Sequence, residues 1–439
     1  MIYTLSGIAH GSLRPRCRSG TPAASPYPVS VSSVPLVPPA VVRTVALPDT
    51  GPLAADLARL PRDGALAWLH GGEGLLGWGE VARLEISGRD RFARAAAWWE
   101  SVCAALDRQP SDVPGAGPVA FGSFGFDPDA VSVLVVPQVV LGRRDGRAWL
   151  TTIGDGSPAV PTQPIVAPGE VAWSDGAVSA AAYTAAVAEA VRLIRAGEAQ
   201  KIVLARDLVA RADAPIDPRY LLSRLSGAFP NTWTFAVDGL VGATPEMLLQ
   251  REGDTVRSRV LAGTAWRRPD HAGEAEVAAG LLVSGKDREE HAYAARSAAE
   301  ALGPYCAELD VPAEPSVLGL SNVSHLCTDL VGRLAAPVSA LELAGALHPT
   351  AAVCGTPTRT AGELIRRIEG LDRGRYAGPV GYVDANGDGE WGIALRCAQL
   401  GGATARLFAG CGIVADSDPE TELAEAHAKF VAVRDALEP

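Results

Sequence analysis

Two stretches of this chain carry carboxylates at an interval that a helix would turn to one side. In Lys286-Asp287-Arg288-Glu289-Glu290-His291, Asp287 and Glu290 stand three apart. Glu422 and Glu425 repeat the interval soon after Asp416-Ser417-Asp418-Pro419. Residues three apart are neighbours on a helix surface. Two such pairs brought together make an all-oxygen site for Mg²⁺, a hard cation that keeps some waters and often bridges to its ligand. Solvated helix faces are the commoner result of this spacing, so the pairs alone do not establish a metal site.

Several single residues sit in unusual company. Lys201 opens the apolar run Ile202-Val203-Leu204-Ala205, where a strand should begin. Such a lysine either snorkels to water or is desolvated, which lowers its pKa and makes a general base available. Glu246 follows a proline turn in Ala243-Thr244-Pro245-Glu246-Met247-Leu248. It either caps that turn or is held protonated as a general acid. His325 and His348 interrupt apolar stretches, as satisfied core histidines also do. Arg396 falls inside Ile393-Ala394-Leu395-Arg396-Cys397-Ala398, where strand alternation sets it opposite Leu395. An arginine on a covered face needs an anion, and a substrate carboxylate would serve. Gly410-Cys411-Gly412 follows a strand-like run, a place where backbone N–H groups can approach a carboxylate closely. Each signal is weak alone; together they allow a Mg²⁺-dependent enzyme acting on a small anion.

These residues need elements to hold them. The pattern predicts a helix over 179–196 ended by Gly197, followed directly by a strand over 201–208. A helix over 89–106 and paired strands over 64–69 and 74–84 precede it, with short Val-rich strands over 118–175. Downstream the pattern gives a strand pair near 233–262 and a long helix near 271–302. Helices near 338–347 and 358–369 follow. The last third reads as strands over 378–384, 390–398 and 404–410, then a final helix from Pro419. No internal repeat and no Gly/Ser linker interrupts the chain after residue 50, so one large α+β domain over 46–439 is expected. Residues 1–45 carry Arg14, Arg16 and Arg18 among Ser, Pro and Val and read as a flexible N-terminal extension.

Bulk properties narrow the function classes. The chain has 439 residues, 48% hydrophobic and 20% charged, enough apolar material for a sizeable core. Its formal net charge of -11, with no block of Lys or Arg, argues against nucleic acid or an anionic membrane as partner. Seven scattered cysteines without ligand spacing argue for reduced thiols and a cytoplasmic location. The longest apolar run, 130–141, is broken by Pro137 and reads as a buried strand, not a membrane span. No phosphate loop or dinucleotide fingerprint is present.

In order, GEAQKIVLAR (197–206), GATPEMLL (242–249), LAGTA (261–265), SGKDREEH (284–291), VSHL (323–326) and HPTAAVCGTPTRTA (348–361) resemble the chorismate-utilising enzymes. DRGRYAGPVGYVD (372–384), GDGEWGIALRCA (387–398) and AGCGIVADSDPETELAEAHAKF (409–430) continue the resemblance. It is close over 180–435 and looser over the preceding strands. The family comprises isochorismate, salicylate, anthranilate and aminodeoxychorismate synthases. The resemblance implies an α+β chorismate-utilising enzyme fold. In it, two large, mostly antiparallel β-sheets stack with helices on the outside, and the active site lies in the cleft between. It implies Mg²⁺ on Glu290 and Glu425, with Asp287 and Glu422 near them. It further implies a grip on the enolpyruvyl carboxylate by Tyr376, Arg396, Lys429 and the backbone around Gly410 and Gly412. Thr264, His325, His348 and Thr350 would line the ring.

Within the family, members that use ammonia usually hold Gln at the position of Lys201. Water is the weaker nucleophile and must surrender a proton as it attacks, so a lysine here points to water. The resemblance then implies reversible conversion of chorismate to isochorismate. Neutral Lys201 would take the proton of water attacking ring carbon 2, and Glu246 would protonate the hydroxyl leaving carbon 4. Salicylate synthase, which goes on to eliminate pyruvate, is the alternative. An ammonia-using synthase subunit and a silent chorismate binder rank below it. No glutaminase partner is expected, and many members are monomers. Ala351, Cys411, Ala426 and Trp266 depart from the usual Pro, Ala, Thr and Pro of isochorismate synthases, without removing a proposed acid, base or metal ligand.

Overall fold

The computed structural model describes residues 40–49, 51–154, 162–266, 274–319 and 323–438; the side chains of Thr264 and Trp266 lie outside the described residues. The element that starts the site is set up by local chemistry. Ser179 caps the helix Ala180–Arg195, accepting from the Ala182 N–H at 3.2 Å. The helix buries Tyr183, Val187, Ala190 and Ile194 and gives way at Gly197, whose φ of 82° suits only glycine comfortably. The strand Lys201–Ala212 follows, with its first seven residues all buried. Its apolar centre, residues 202–205, is what a strand covered on both faces requires, while the buried charges Lys201, Arg206 and Asp207 each have an ion-pair partner.

Among the described residues the strands form one sheet of 13 and another of 10, mostly antiparallel. In the first, Lys201–Ala212 pairs with Thr404–Ile413 in a register from Ile202–Ile413 to Arg211–Thr404. In the second, Thr255–Trp266 pairs with Val323–Leu334, and Met247–Glu252 pairs with Gly389–Ile393. The sheets stack closely: a Cβ on Gly392 of the second would come within 3.1 Å of the Trp68 ring of the first. Trp68, Phe121, Phe235 and Trp391 are all fully buried. The helices Ala180–Arg195 and Pro419–Leu437 pack on the first sheet, and Gly285–Leu302 packs on Thr255–Trp266 of the second. The expected α+β fold with two stacked sheets and outer helices is the one observed.

The chain passes between the sheets at two neighbouring points. Leu240–Thr244 belongs to the first sheet and Met247–Glu252 to the second, so Pro245 and Glu246 span the gap. Gly389–Ile393 belongs to the second and Cys397–Gly401 to the first, so 394–396 return across it. Here the sequence reading is corrected. Residues 390–398 are not one strand, and Arg396 lies at the break with φ of 48°, a left-handed conformation that a strand does not contain. Alternation predicted a continuous strand because the apolar run continues unbroken on both sides of the crossing.

Other boundaries also move. Residues 40–45 are not extension: Ala40–Leu47 is a strand paired antiparallel with Arg147–Ile153. Residues 1–39 lie outside the described residues. The expected strand over 74–84 is two, Glu73–Trp78 and Ala82–Ile86, in different sheets. The expected helix over 271–302 is also two, Glu274–Val283 and Gly285–Leu302, because Ser284 starts a new helix by accepting from the Asp287 N–H. Residues 271–273 lie outside the described residues. No helix among the described residues is long and apolar enough to cross a membrane.

Candidate active site

The two sheets and two helices enclose a cavity of about 140 Å³. Lys201 and Val203 enter it from one strand, and Phe408, Gly410 and Gly412 from its neighbour. Gly263 and His325 come from the second sheet, and Glu246 and Arg396 from the two crossings. Asp287 and Glu290 project from Gly285–Leu302, while Glu422, Glu425 and Lys429 project from Pro419–Leu437. Residues more than 200 positions apart therefore meet around one space. Tyr376 completes the wall, stacked on Phe408 with ring centroids 5.1 Å apart.

Lys201 is 1% exposed, and its Nζ lies 2.8 Å from Glu290 Oε1. Gly412 makes that contact possible, because a Cβ there would stand 2.6 Å from Glu290 Oε1 and 2.7 Å from Lys201 Cε. Glu246 is fully enclosed. Burial pushes its carboxyl up to about 8, although the nearby Lys201 charge and a hydrogen bond from the Leu261 backbone oppose the shift. At neutral pH this group carries a proton. An acid-competent carboxyl and a lysine amine thus share one enclosed space.

Histidine and tyrosine contribute as neutral groups. Burial, helped by the charges of Arg396 and Lys429, lowers the His325 pKa to about 3. Its Nδ1 lies 3.1 Å from the Gly263 carbonyl oxygen, so the neutral ring donates there and presents Nε2 as an acceptor. Burial pushes the Tyr376 hydroxyl up, keeping it a donor. Arg396 supplies a guanidinium to the cavity at the cost of its left-handed backbone, the kind of local strain that functional sites retain.

The carboxylates are not idle in this structure. Glu425 Oε1 lies 2.6 Å from Lys429 Nζ, which also donates to the Gly410 carbonyl at 2.9 Å. Burial alone would lower the Lys429 pKa, but Cys411 and Glu425 outweigh it and leave it raised. Asp287 accepts from the Ser284 hydroxyl, and Gly263 at φ of 72° lets it approach, since a Cβ there would meet Asp287 Cβ at 2.9 Å. Ligand atoms of Cys411, Glu422 and Glu425 lie within 4.8 Å of one another. The Cys411 thiol is pushed up to about 12 by burial, so at neutral pH it stays protonated and is a poor ligand. The donors left are carboxylate oxygens, the hard set that suits Mg²⁺.

Two expected ring-lining residues are not on the cavity wall. His348 lies behind it, its Nε2 2.9 Å from the Phe126 carbonyl oxygen and its ring edge-on to Phe126. Burial lowers its pKa to about 3, which fits a satisfied core histidine. Thr350 is buried nearby with no hydrogen-bond partner for its hydroxyl. The Thr264 side chain lies outside the described residues. Of the departures from the family pattern, Ala351, Cys411 and Ala426 are buried and Trp266 has no described side chain.

One supporting pair escaped the sequence reading. Arg373 lines the cavity and donates to the carbonyls of Val203 at 2.8 Å and Val353 at 3.0 Å, with Glu369 as its counter-ion at 2.6 Å. Glu369 also accepts from the Ala205 N–H at 2.8 Å. This buried pair holds the strand that carries Lys201. Its sequence signal was a helical i, i+4 charge pair at the edge of DRGRYAGPVGYVD, which an exposed helix face would show equally.

Residues 159–438 match the model of the family described as "Chorismate binding enzyme". The isochorismate synthase DhbC of Bacillus subtilis is 44% identical over 260 residues, covering 56% of this chain and 65% of that protein. The isochorismate synthase EntC of Escherichia coli is 35% identical over 320 residues, covering 71% and 79%. Among solved structures, the menaquinone-specific isochorismate synthase MenF of Escherichia coli aligns with a TM-score of 0.77 at 25% identity. That alignment covers 92% of this chain and 96% of that one.

Proposed function

The chain belongs to the chorismate-binding enzyme family, and from that premise we infer that it is an isomerase converting chorismate reversibly to isochorismate. The observation that carries the reading is the pairing of Lys201 with a protonated Glu246 in one enclosed cavity. Lys201, once it has shed its own proton, accepts one from water as the oxygen bonds to ring carbon 2. The ring double bonds shift, and the bond from carbon 4 to its hydroxyl breaks. Glu246 delivers its proton to that departing oxygen, so one water enters and one leaves. The barrier is lowered by fixing water, ring and acid in line in one cleft.

The remaining residues orient the substrate. Arg396, Lys429, Tyr376 and the backbone at Gly410 and Gly412 grip the enolpyruvyl carboxylate, and His325 offers an acceptor to a ring hydroxyl. Glu290 and Glu425, with Asp287 and Glu422 beside them, would hold Mg²⁺, which supplies Lewis-acid polarisation of the ring carboxylate when bound. A dication and a dicarboxylate substrate cancel, so the cavity gains no net charge as both enter. The chain acts without a glutaminase partner, because Lys201 stands where a site built for ammonia needs no base.

Liquid chromatography of chorismate incubated with the purified chain, with and without Mg²⁺, tests this. The expected result is a Mg²⁺-dependent mixture of chorismate and isochorismate, lost in Lys201→Ala and in Glu246→Gln. Salicylate and pyruvate as products would move the chain to the lyase branch; absence of any turnover would sink the reading.

A further inference from the structure

Glu290 and Glu425, the two acids placed first on the metal, each already have a resident cation. Lys201 Nζ sits 2.8 Å from Glu290 Oε1, and Lys429 Nζ sits 2.6 Å from Glu425 Oε1. Neither contact is a loose surface pair. The Lys201 side chain is 1% exposed and the Lys429 side chain 11%, against 15% and 22% for their partners. Lys201 is wedged against Gly412, and Lys429 is anchored on the Gly410 carbonyl. Both ion pairs lie against the same strand, Thr404–Ile413, one at Gly412 and the other at Gly410.

A carboxylate oxygen that faces an ammonium at hydrogen-bond distance cannot give the same electron pair to a divalent ion, and two cations brought to one carboxylate repel. We propose that Lys201 and Lys429 are internal counter-cations that compete with the divalent metal for Glu290 and Glu425. They neutralise these acids in the metal-free protein and must give them up for the metal to be held. The consequence for catalysis is an order of events. In the metal-free protein the Lys201 ammonium is committed to Glu290; when Glu290 is taken, that side chain is free to turn toward the substrate. This rests on the assignment of Glu290 and Glu425 to the metal, and goes beyond it by giving the lysines a role in metal affinity.

Mg²⁺ titration followed by calorimetry tests the proposal on the full chain without substrate. Lys201→Met and Lys429→Met, similar in length but uncharged, should each bind Mg²⁺ on the order of tenfold more tightly than the parent, the scale expected for removing a nearby like charge. Lys201→Arg keeps the charge and should bind like the parent. Glu290→Gln should weaken binding. Unchanged or weaker Mg²⁺ affinity in both methionine variants, with Glu290→Gln still weakening it, overturns the competition and leaves the metal assignment standing. No Mg²⁺ uptake by the parent or by either methionine variant overturns both. Because two lysines are tested independently, failure of one variant to fold leaves the other to decide.

Discussion

The main chains of Glu246 and Arg396 are tied into one short span. The Ile393 N–H donates to the Glu246 carbonyl at 3.1 Å, and the Ala243 N–H donates to the Arg396 carbonyl at 3.1 Å. The proposed proton donor and the proposed carboxylate anchor therefore sit on two crossings between the sheets that are stitched to each other. The separation of their main chains is fixed by these backbone hydrogen bonds, which leaves only the two side chains free to adjust.

Activity should fall as pH rises through about 8. Glu246 works as an acid only while protonated, and burial holds its pKa near that value. Glu246→Gln should remove this limb together with about 10²–10⁴ of the rate, the usual worth of a positioned acid. A pH profile of kcat that stays flat from 6 to 9.5 in the parent would show that Glu246 is not the acid.

Stability should respond to the same group. The folded-state pKa of Glu246 lies above its unfolded value, so folding takes up a proton between about 4.5 and about 8. The contribution is fully present below that window and is lost as pH rises through it. Urea denaturation at pH 6 and pH 9 should show a smaller pH-dependent loss in Glu246→Gln than in the parent.

Gly412→Ala should leave the fold intact and damage catalysis. The strand backbone at 412 does not need positive φ, but the added methyl would stand 2.6 Å from Glu290 Oε1 and 2.7 Å from Lys201 Cε. A displacement of about 1 Å at a reacting group costs on the order of a hundredfold. Thermal melting and steady-state rates measured together separate the two effects; a large Tm loss with normal kcat in the folded fraction would contradict the prediction.

Glu369→Ala should be strongly destabilising, by about 3–5 kcal/mol, because it leaves the buried Arg373 charge without its partner. Removing both charges, as Glu369→Met with Arg373→Met, should recover part of that loss. Denaturant titration of the two single variants and the double variant measures the coupling, and simple additivity would argue against the pair as a unit.

How much of this was readable from sequence depends on the distance over which each residue acts. Lys201, Glu246 and the two acidic helix pairs were legible because each is set by a local pattern: a strand start, a proline turn, an i, i+3 interval. The Lys201–Glu290 contact was not, since it joins residues 89 positions apart through the shape of Gly412. Arg396 was found but misplaced, because no Gly or Pro marks the break and only the change of sheet forces its left-handed backbone. His348 was drawn toward the site by its motif, whereas packing against Phe126 places it one layer behind. Ala40–Leu47 was lost to the extension because its partner, Arg147–Ile153, lies a hundred residues away.

The contact between Trp68 and Gly392 takes on a wider meaning in this light. Gly392 precedes Ile393, whose N–H holds the Glu246 crossing, and the indole of Trp68 reaches its backbone from the other sheet. The thickness of the interleaved core at this point is thus a gauge for the reaction. A methyl group added there, 3.1 Å from the Trp68 ring and 3.2 Å from the Glu246 carbonyl oxygen, would widen the jaw that sets donor and anchor against the substrate, so that a packing error would read out as a kinetic one.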